Sequence, residues 1–315
     1  MSASGIASPA QLSVADLQGR RGRRWREAAI RAGFLGAAAM TVVISVLIIA
    51  SLAGQAIDFL SQVDFAQLWA GGWFPRRGMY GIPTILVGTL LVAGIAMLVA
   101  TPLGLGAAIY LAEYASARVR SVLKPSLEVL AGIPSVVLGY FALTVLSPTI
   151  VDPVCPGNTD IFNMAAAGIG VGILITPLIA SVAEDAMTAV PRSLREAAYG
   201  LGARKRTTSV RVVVPAAISG IVAALILGVS RGIGETMVVA IASGAGSGSL
   251  FTLDPCGGGQ TMTAAMASLA IGSDQVRGAS LAFASLFFVG LLLFGMTLAL
   301  NLVADGFVRR FRNRY

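Results

Sequence analysis

Six stretches of this chain, near residues 34–53, 83–111, 127–147, 164–182, 214–242 and 279–303, are long and apolar enough to cross a bilayer. About 20 apolar residues in a helix span the hydrocarbon layer. Inside that layer every backbone N–H and C=O must be satisfied by the protein itself, which a helix achieves segment by segment. The expectation is therefore an all-α polytopic membrane protein with six transmembrane helices. Composition agrees, since 56% of the residues are hydrophobic and only 12% are charged. A soluble domain carries roughly 25% charged residues. The second and fifth runs exceed one bilayer thickness and must tilt, bend or protrude, and Pro102 is the expected kink of the second.

Charge sets the orientation. The 23 Lys and Arg residues outnumber the 15 Asp and Glu by 8, a net charge of +8, but they sit in short clusters between apolar runs rather than in one patch suited to nucleic acid. The N-terminal arm holds Arg20, Arg21, Arg23, Arg24, Arg26 and Arg31. The second connection holds Arg118, Arg120 and Lys124, and the fourth holds Arg192, Arg195, Arg204, Lys205, Arg206 and Arg211. Arg309, Arg310, Arg312 and Arg314 lie in the C-terminal tail. The odd connections hold only Arg76, Arg77 and Arg277, and Arg231 lies inside a run. The positive-inside rule then puts both termini in the cytoplasm. Residues 1–32 read as a cytoplasmic tail whose first 19 residues are mobile. Residues 33–305 read as the six-helix domain, and 306–315 as a basic cytoplasmic tail. The first run is longer than a signal-peptide core and is followed by no clear cleavage site, so it reads as a retained helix.

The outer connections differ in character. Trp69, Trp73, Phe74 and Tyr80 in the first suit an interfacial aromatic belt. TMTAAMASLA in the third is too short to span and reads as an outer-surface or re-entrant helix. Cys155 and Cys256 fall on the same, oxidising side, where they either pair or stay as two thiols. With no His, no CxxC and no Walker motif, the chain offers no metal site, catalytic triad or phosphate-cradling loop. No catalytic residue and no metal ligand is assigned.

Two segments carry chemistry. In the fourth connection, SLREAAYGLGA places Leu194, Ala197, Ala198 and Leu201 on one helical face, with Ser193 as a candidate cap and Gly202 as a stop. Such a helix serves either to lie on lipid headgroups or to dock into a partner. In the fifth run, Arg231 and Glu235 sit four apart, on one face of a helix. Charges within a span cost roughly 2.5–3.5 kcal/mol each on insertion scales and face protein or water. Either they mark a substrate path or they form a structural ion pair. Gly168 and Gly172 have the spacing that permits close helix contact.

The pattern Glu196-Ala197-Ala198, three residues, Gly202, nine residues, then Val212-x-Val214-Pro215 resembles the signature of MetI-like, binding-protein-dependent ABC-importer permeases. LGVSRGIGETMVVAIASG, with Arg231, Glu235, Thr236 and Met237, is similar to a segment of the phosphate permeases of PstC type. IPTILVGTLL and IYLAEYA look like the same family. The resemblance covers about residues 80–305 and implies a type I importer permease fold in the plasma (inner) membrane. It implies that residues of about 192–203 form a coupling helix, with Glu196, Ala197, Ala198, Gly202 and Pro215 engaging an ATPase. It also implies that Arg231, Glu235 and Thr236 line the substrate path. The partners it implies are a second permease of PstA type, an ATPase dimer of PstB type holding ATP and Mg, an extracytoplasmic phosphate-binding protein of PstS type, and membrane lipid. The chain itself would be a transport subunit and not an enzyme. Permeases for sulfate, molybdate or phosphonate remain alternatives, as does a transporter driven by an ion gradient.

Overall fold

The computed structural model describes residues 21–69, 71–156, 160–244, 248–271 and 281–311. The expected mobile tail at 1–19 and the last residues of the basic C-terminal tail lie outside them. The chain divides into two compact units, Met1–Ser51 and Leu52–Tyr315.

Helix α1 (Arg21–Gln62) has 42 residues, about 63 Å at 1.5 Å per residue, roughly twice the hydrocarbon thickness. Its apolar window has no buried residue, so that surface belongs against lipid or protein rather than water. The first connection then forms a three-stranded antiparallel sheet from β1 (Gly72–Phe74), β2 (Met79–Tyr80) and a later strand β3 (Ser249–Leu250), in the order β2-β1-β3. This small sheet is the one departure from an all-α expectation. It also changes the aromatic reading. Trp69 is exposed, but Trp73 and Tyr80 are buried and meet edge to face at 6.2 Å. Those two rings are a core under the sheet, not a belt.

Next come α2 (Ile82–Ile109), closed by a π-helical turn at Tyr110–Tyr114, and α3 (Ala117–Ala131). Then α4 (Ser135–Phe141) continues as a wide π-helical stretch, Ala142–Val151. Pro148 lies within that stretch and has no N–H to donate into a regular α-helical ladder. The third span is therefore Ser135–Val154, not 127–147. The apolar residues near 127–131 end α3, a surface helix with no buried residue. Gly132 and Pro134 break the chain before the span begins.

Helix α5 (Met164–Thr188) is the central element. Asn163 caps it by accepting from the Ala166 N–H at 2.7 Å and donates to Ser147 Oγ at 2.7 Å. A Cβ at Gly168 would lie 2.7 Å from Ile95, and one at Gly172 would lie 2.9 Å from the Ala96 carbonyl, both on α2. Those two glycines let the backbones of α2 and α5 approach. A surface helix α6 (Arg192–Gly200) follows. The fifth run is not one helix. Lys205–Ala216 and α7 (Ile218–Ile233) meet at an angle of 71°. Helix α8 (Met262–Ile271) starts buried among the spans, with Met262, Thr263, Ala264 and Ala265 all enclosed, so of the two expected readings the re-entrant one fits better. Helix α9 (Leu281–Phe311) ends the fold. The described residues thus hold five unbroken spans and a sixth if the bent pair is counted as one.

Two tethers frame the bundle. At the end bearing the sheet, Cys155 and Cys256 form a disulfide with Cα atoms 6.2 Å apart. At the opposite, basic rim, Glu184 of α5 is fully buried. It accepts from Arg120 Nη2 and, at 2.7 Å, from Lys124 Nζ, both on α3. Lys124 also reaches Asp185 at 2.7 Å. The Asp185 and Glu184 carboxylates hold the Lys124 ammonium above its ordinary range. A raised Lys value means that this contribution is complete at neutral pH and is lost only in strong alkali.

Removing a partner from a buried ion pair costs about 3–5 kcal/mol, whereas an exposed pair is worth about 0–1 kcal/mol. Glu184→Ala should therefore sharply lower the thermal midpoint of the purified protein. Asp185→Ala, at a side chain 64% exposed, should shift it little. Equal losses would disprove the clamp. Both cysteines should resist alkylation until a reductant is added; labelling without reduction would rule out the bond.

Candidate functional site

Arg231 occupies the last turn of α7, which ends at Ile233, and Glu235 falls in the break at residues 234–236. The two keep the i, i+4 relation, but on a helix that stops between them. The guanidinium is 59% exposed, the Glu235 side chain only 5%, and Nη2 lies 3.9 Å from Oε2. At that length the pair is an ion pair without a tight hydrogen bond. Arg231 therefore projects out of this chain from inside an apolar segment, while Glu235 stays in the wall behind it. A charge so placed must meet water or another polypeptide, not hydrocarbon.

Several backbone groups of the break find partners. Gly234 N–H donates to the Ser230 carbonyl at 3.2 Å and Glu235 N–H to Gly232 at 3.3 Å. The Glu235 carbonyl accepts from Thr263 Oγ1 at 2.7 Å. Thr263 lies in α8 and shares a 3.0 Å hydroxyl contact with Thr261. Thr89 of α2 accepts from the Met262 N–H at 3.0 Å. The start of α8 is thus pinned between α2 and the break. Thr236 is half-buried, and its hydroxyl reaches the Gly234 carbonyl at 3.4 Å. Sequence reasoning does not assign Thr263. Its only signal is a pair of hydroxyls, Thr261 and Thr263, opening an otherwise apolar segment.

An opening of about 1020 Å³ lies near the disulfide and the sheet, against Ala240, Ile241, Ser243 and Gly244, just beyond the break. Asp160 and Asp254 line it, and no basic side chain does. Its charge is wrong for holding an anion, so Arg231 remains the cationic feature of this region.

At the basic rim, α6 matches the expected segment. Its C-terminus is a Schellman motif, with Gly202 N–H bonded to the Tyr199 carbonyl and Ala203 N–H to the Ala198 carbonyl. Gly202 has φ +78°, a left-handed conformation that glycine adopts without steric cost. The start differs from expectation. Pro191 holds the capping position and no side chain caps the helix, so Ser193 does not serve. Glu196, Ala197, Leu201 and Gly202 are exposed, Ala198 is half-buried, and Leu194 packs against the buried cluster that includes Met187, Val190 and Val213. Pro215 is exposed in the turn Val214–Ala216, apart from α6. The π-helical turn Ser209–Val213 precedes it, where Pro215 has no N–H to continue the helix ladder.

Sequence reasoning also gives no role to Glu113, whose side chain is 3% exposed and paired with Arg195 at 2.9 Å. A lone carboxylate in IYLAEYA, at the end of an apolar run, is its only trace.

The family model for the binding-protein-dependent transport system inner membrane component matches residues 100–315. A phosphate transport system permease protein PstC of Pasteurella multocida is 33% identical over 214 residues, covering 62% of this chain and 67% of that protein. PstC 1 of Mycobacterium tuberculosis is 34% identical over 257 residues, covering 75% and 74%. Among solved structures, the inward-facing MetNI methionine ABC transporter aligns with TM-score 0.52 and 18% identity, over 76% of this chain and 97% of that one. An amino acid ABC transporter aligns with TM-score 0.51 and 20% identity, over 75% and 98%. Those likenesses carry the fold alone, but the sequence matches carry descent: this chain belongs to the binding-protein-dependent inner membrane components, the MetI-like permeases of ABC importers.

Proposed function

We propose that this chain is the permease subunit of an ATP-driven importer of inorganic phosphate, working by alternating access. The observation that carries the reading is Arg231, a guanidinium 59% exposed on a membrane-spanning segment beside a helix break, with buried Glu235 3.9 Å behind it. A guanidinium offers a planar fork that matches two phosphate oxygens at once. Glu235 balances the Arg231 charge when no anion is present, so the empty path does not hold an isolated cation in an apolar surround. A second permease of PstA type would face Arg231 and complete the path. The names of the relatives supply the substrate class, and the charge of the site agrees with it.

The basic connections favour a cytoplasmic position for both termini, α3 and α6. There the exposed face of α6, with Glu196, Ala197 and Gly202, would dock into an ATPase dimer of PstB type that binds ATP and Mg. A phosphate-binding protein of PstS type would deliver the anion at the opposite face, where the disulfide lies. The chain transports and does not catalyse; its partners hydrolyse the nucleotide.

Arg231→Lys keeps the charge but loses the fork, so uptake should fall. Arg231→Gln should lower it at least about tenfold, or about 1.4 kcal/mol, with the complex still assembled. Glu235→Gln should let phosphate bind but slow its release. Full phosphate uptake in proteoliposomes by a stable Arg231→Gln/Glu235→Gln double variant would overturn the path assignment. Stronger competition by sulfate or molybdate than by unlabelled phosphate would reassign the substrate.

Coupling has its own test. Gly202→Asp puts a charged side chain on the exposed, left-handed end of α6 and should abolish uptake without preventing membrane insertion. A cross-linker at Leu201, which is 90% exposed, should capture the ATPase subunit. Failure to capture it in an active complex would exclude the docking role.

A further inference from the structure

We propose that Arg195 and Glu113 form the strut that carries movement of α6 to α2, and so act as a positioning pair for transport. The inference rests on the coupling role of α6 proposed above.

The face of α6 turned away from solvent holds two side chains of different kinds. Leu194 makes apolar contact with the ends of neighbouring helices, and such contacts are non-directional. Arg195 is directional. Its Nε and Nη2 donate to Glu113 Oε1 at 3.1 and 2.9 Å. Nη1 donates to the Val190 carbonyl at 2.7 Å, and Nη2 also to the Met187 carbonyl at 2.9 Å. Met187 and Val190 lie at and just past the end of α5, where helix carbonyls lack intrahelical donors and a cation meets the negative end of the helix dipole. Glu113 lies in the π-helical turn that ends α2, and its Oε2 accepts from Ser209 Oγ at 3.4 Å. One guanidinium, 17% exposed, therefore joins α6 to α5 and α2, and through Glu113 to the turn at Ser209–Val213.

Chain connectivity shows why the pair matters. Helix α6 is tied covalently to α5 through residues 189–191 and to the fifth span through residues 201–204. A pull on α6 reaches those two elements through the backbone. Helix α2 has no such link, and Glu113 supplies its charged, directional one. The next residue, Glu196, about 100° further round the helix, is exposed. Consecutive side chains thus turn one to the bundle and one to the docking face, so rotation of α6 by a partner would be read at α2.

The test uses the complete complex in proteoliposomes, with ATP hydrolysis and phosphate uptake measured together. Glu113→Gln and Arg195→Lys should assemble with the ATPase at normal yield and keep basal hydrolysis. Stimulation by phosphate-loaded binding protein should fall at least about fivefold, the low end of ordinary coupling between sites, and the ATP used per phosphate imported should rise. Ser209→Ala, which removes the 3.4 Å contact to Glu113 and the hydroxyl's local 3.0 Å bond to the Lys205 carbonyl but leaves the Arg195–Glu113 pair in place, should leave both near normal. The proposal is overturned if both variants keep the wild-type ratio, or if hydrolysis and uptake fall in proportion to lost assembly, which marks a merely structural pair. Should Glu113→Gln fail to assemble, the ratio in Arg195→Lys decides. Failure of the coupling reading itself would look different, since the cross-linker at Leu201 would then capture no ATPase subunit in an active wild-type complex.

Discussion

The approach of α5 to α2 sets the position of nearly everything else in the larger unit. At Gly168 and Gly172 the two backbones come so close that no β-carbon fits without displacing a neighbour. Lipid tails are as apolar as Leu and Val, so burying oily side chains gives little reason for two helices to associate in a bilayer. Close packing of small residues does. Once α2 and α5 are joined, their basic-rim ends lie side by side, each with a buried carboxylate, Glu113 and Glu184. A charge enclosed there is costly unless it is paired. Arg195 answers one from α6, and Arg120 with Lys124 answers the other from α3. The two surface helices are therefore held by charge, where composition alone would leave them as loose tethers.

The second constraint is backbone satisfaction at the helix break. Residues 234–236 leave the helical ladder inside an apolar run, and unpaired backbone groups at membrane depth cost several kcal/mol each. The fold meets this with the hydroxyl of Thr263 on the Glu235 carbonyl and with short-range bonds back into α7. This requires a hydroxyl brought in by α8, and α8 in turn requires the Thr89 contact to α2. The re-entrant helix is thus a support for the break. With the backbone so held, Arg231 can project from a span while Glu235 remains enclosed.

Much of this architecture is legible in the amino-acid sequence. Length and hydropathy define the spans because the bilayer filters for them, and the short α6 segment can be read from its helical spacing and its Gly202 stop. The third span is misplaced by hydropathy because α3 ends in apolar residues, and hydropathy cannot separate a surface helix from the span it abuts. Only Gly132 and Pro134 mark the join. The fifth run reads as continuous because Gly234 breaks it without changing its hydropathy. Trp73 and Tyr80 read as interfacial because aromatic residues near a span usually sit there, whereas they join Phe59 and Ile85, and from far along the chain Met262 and Val289, in one buried cluster. The buried carboxylates escape for a different reason. Glu113 is the lone charge in its apolar and aromatic segment and Glu184 has only another acid, Asp185, beside it, and their cations come from 60 to 82 residues away. No local pattern encodes a pair at that separation.

The path from α6 to Arg231 runs through one connected stretch of chain. From the Schellman turn at Gly202 it passes along Lys205–Ala216, bends by 71°, and continues through α7 to the break. Helix α7 has 16 residues, about 24 Å at 1.5 Å per residue, and a hydrogen-bonded helix of that length transmits displacement rather than absorbing it. The bend and the break are the points where the helical ladder is interrupted, one at each end. Under the coupling role proposed for α6, a shift there would act on α7 as on a lever, with Arg231 near the far end. If α2 moved independently, α8 would lose its anchor at Thr89 and Thr263 would be drawn from the Glu235 carbonyl. Coordinated motion of α2 and α7 is thus a condition for keeping the break intact while Arg231 changes its surroundings, and the two helices share one point of control at α6, where Arg195 sits.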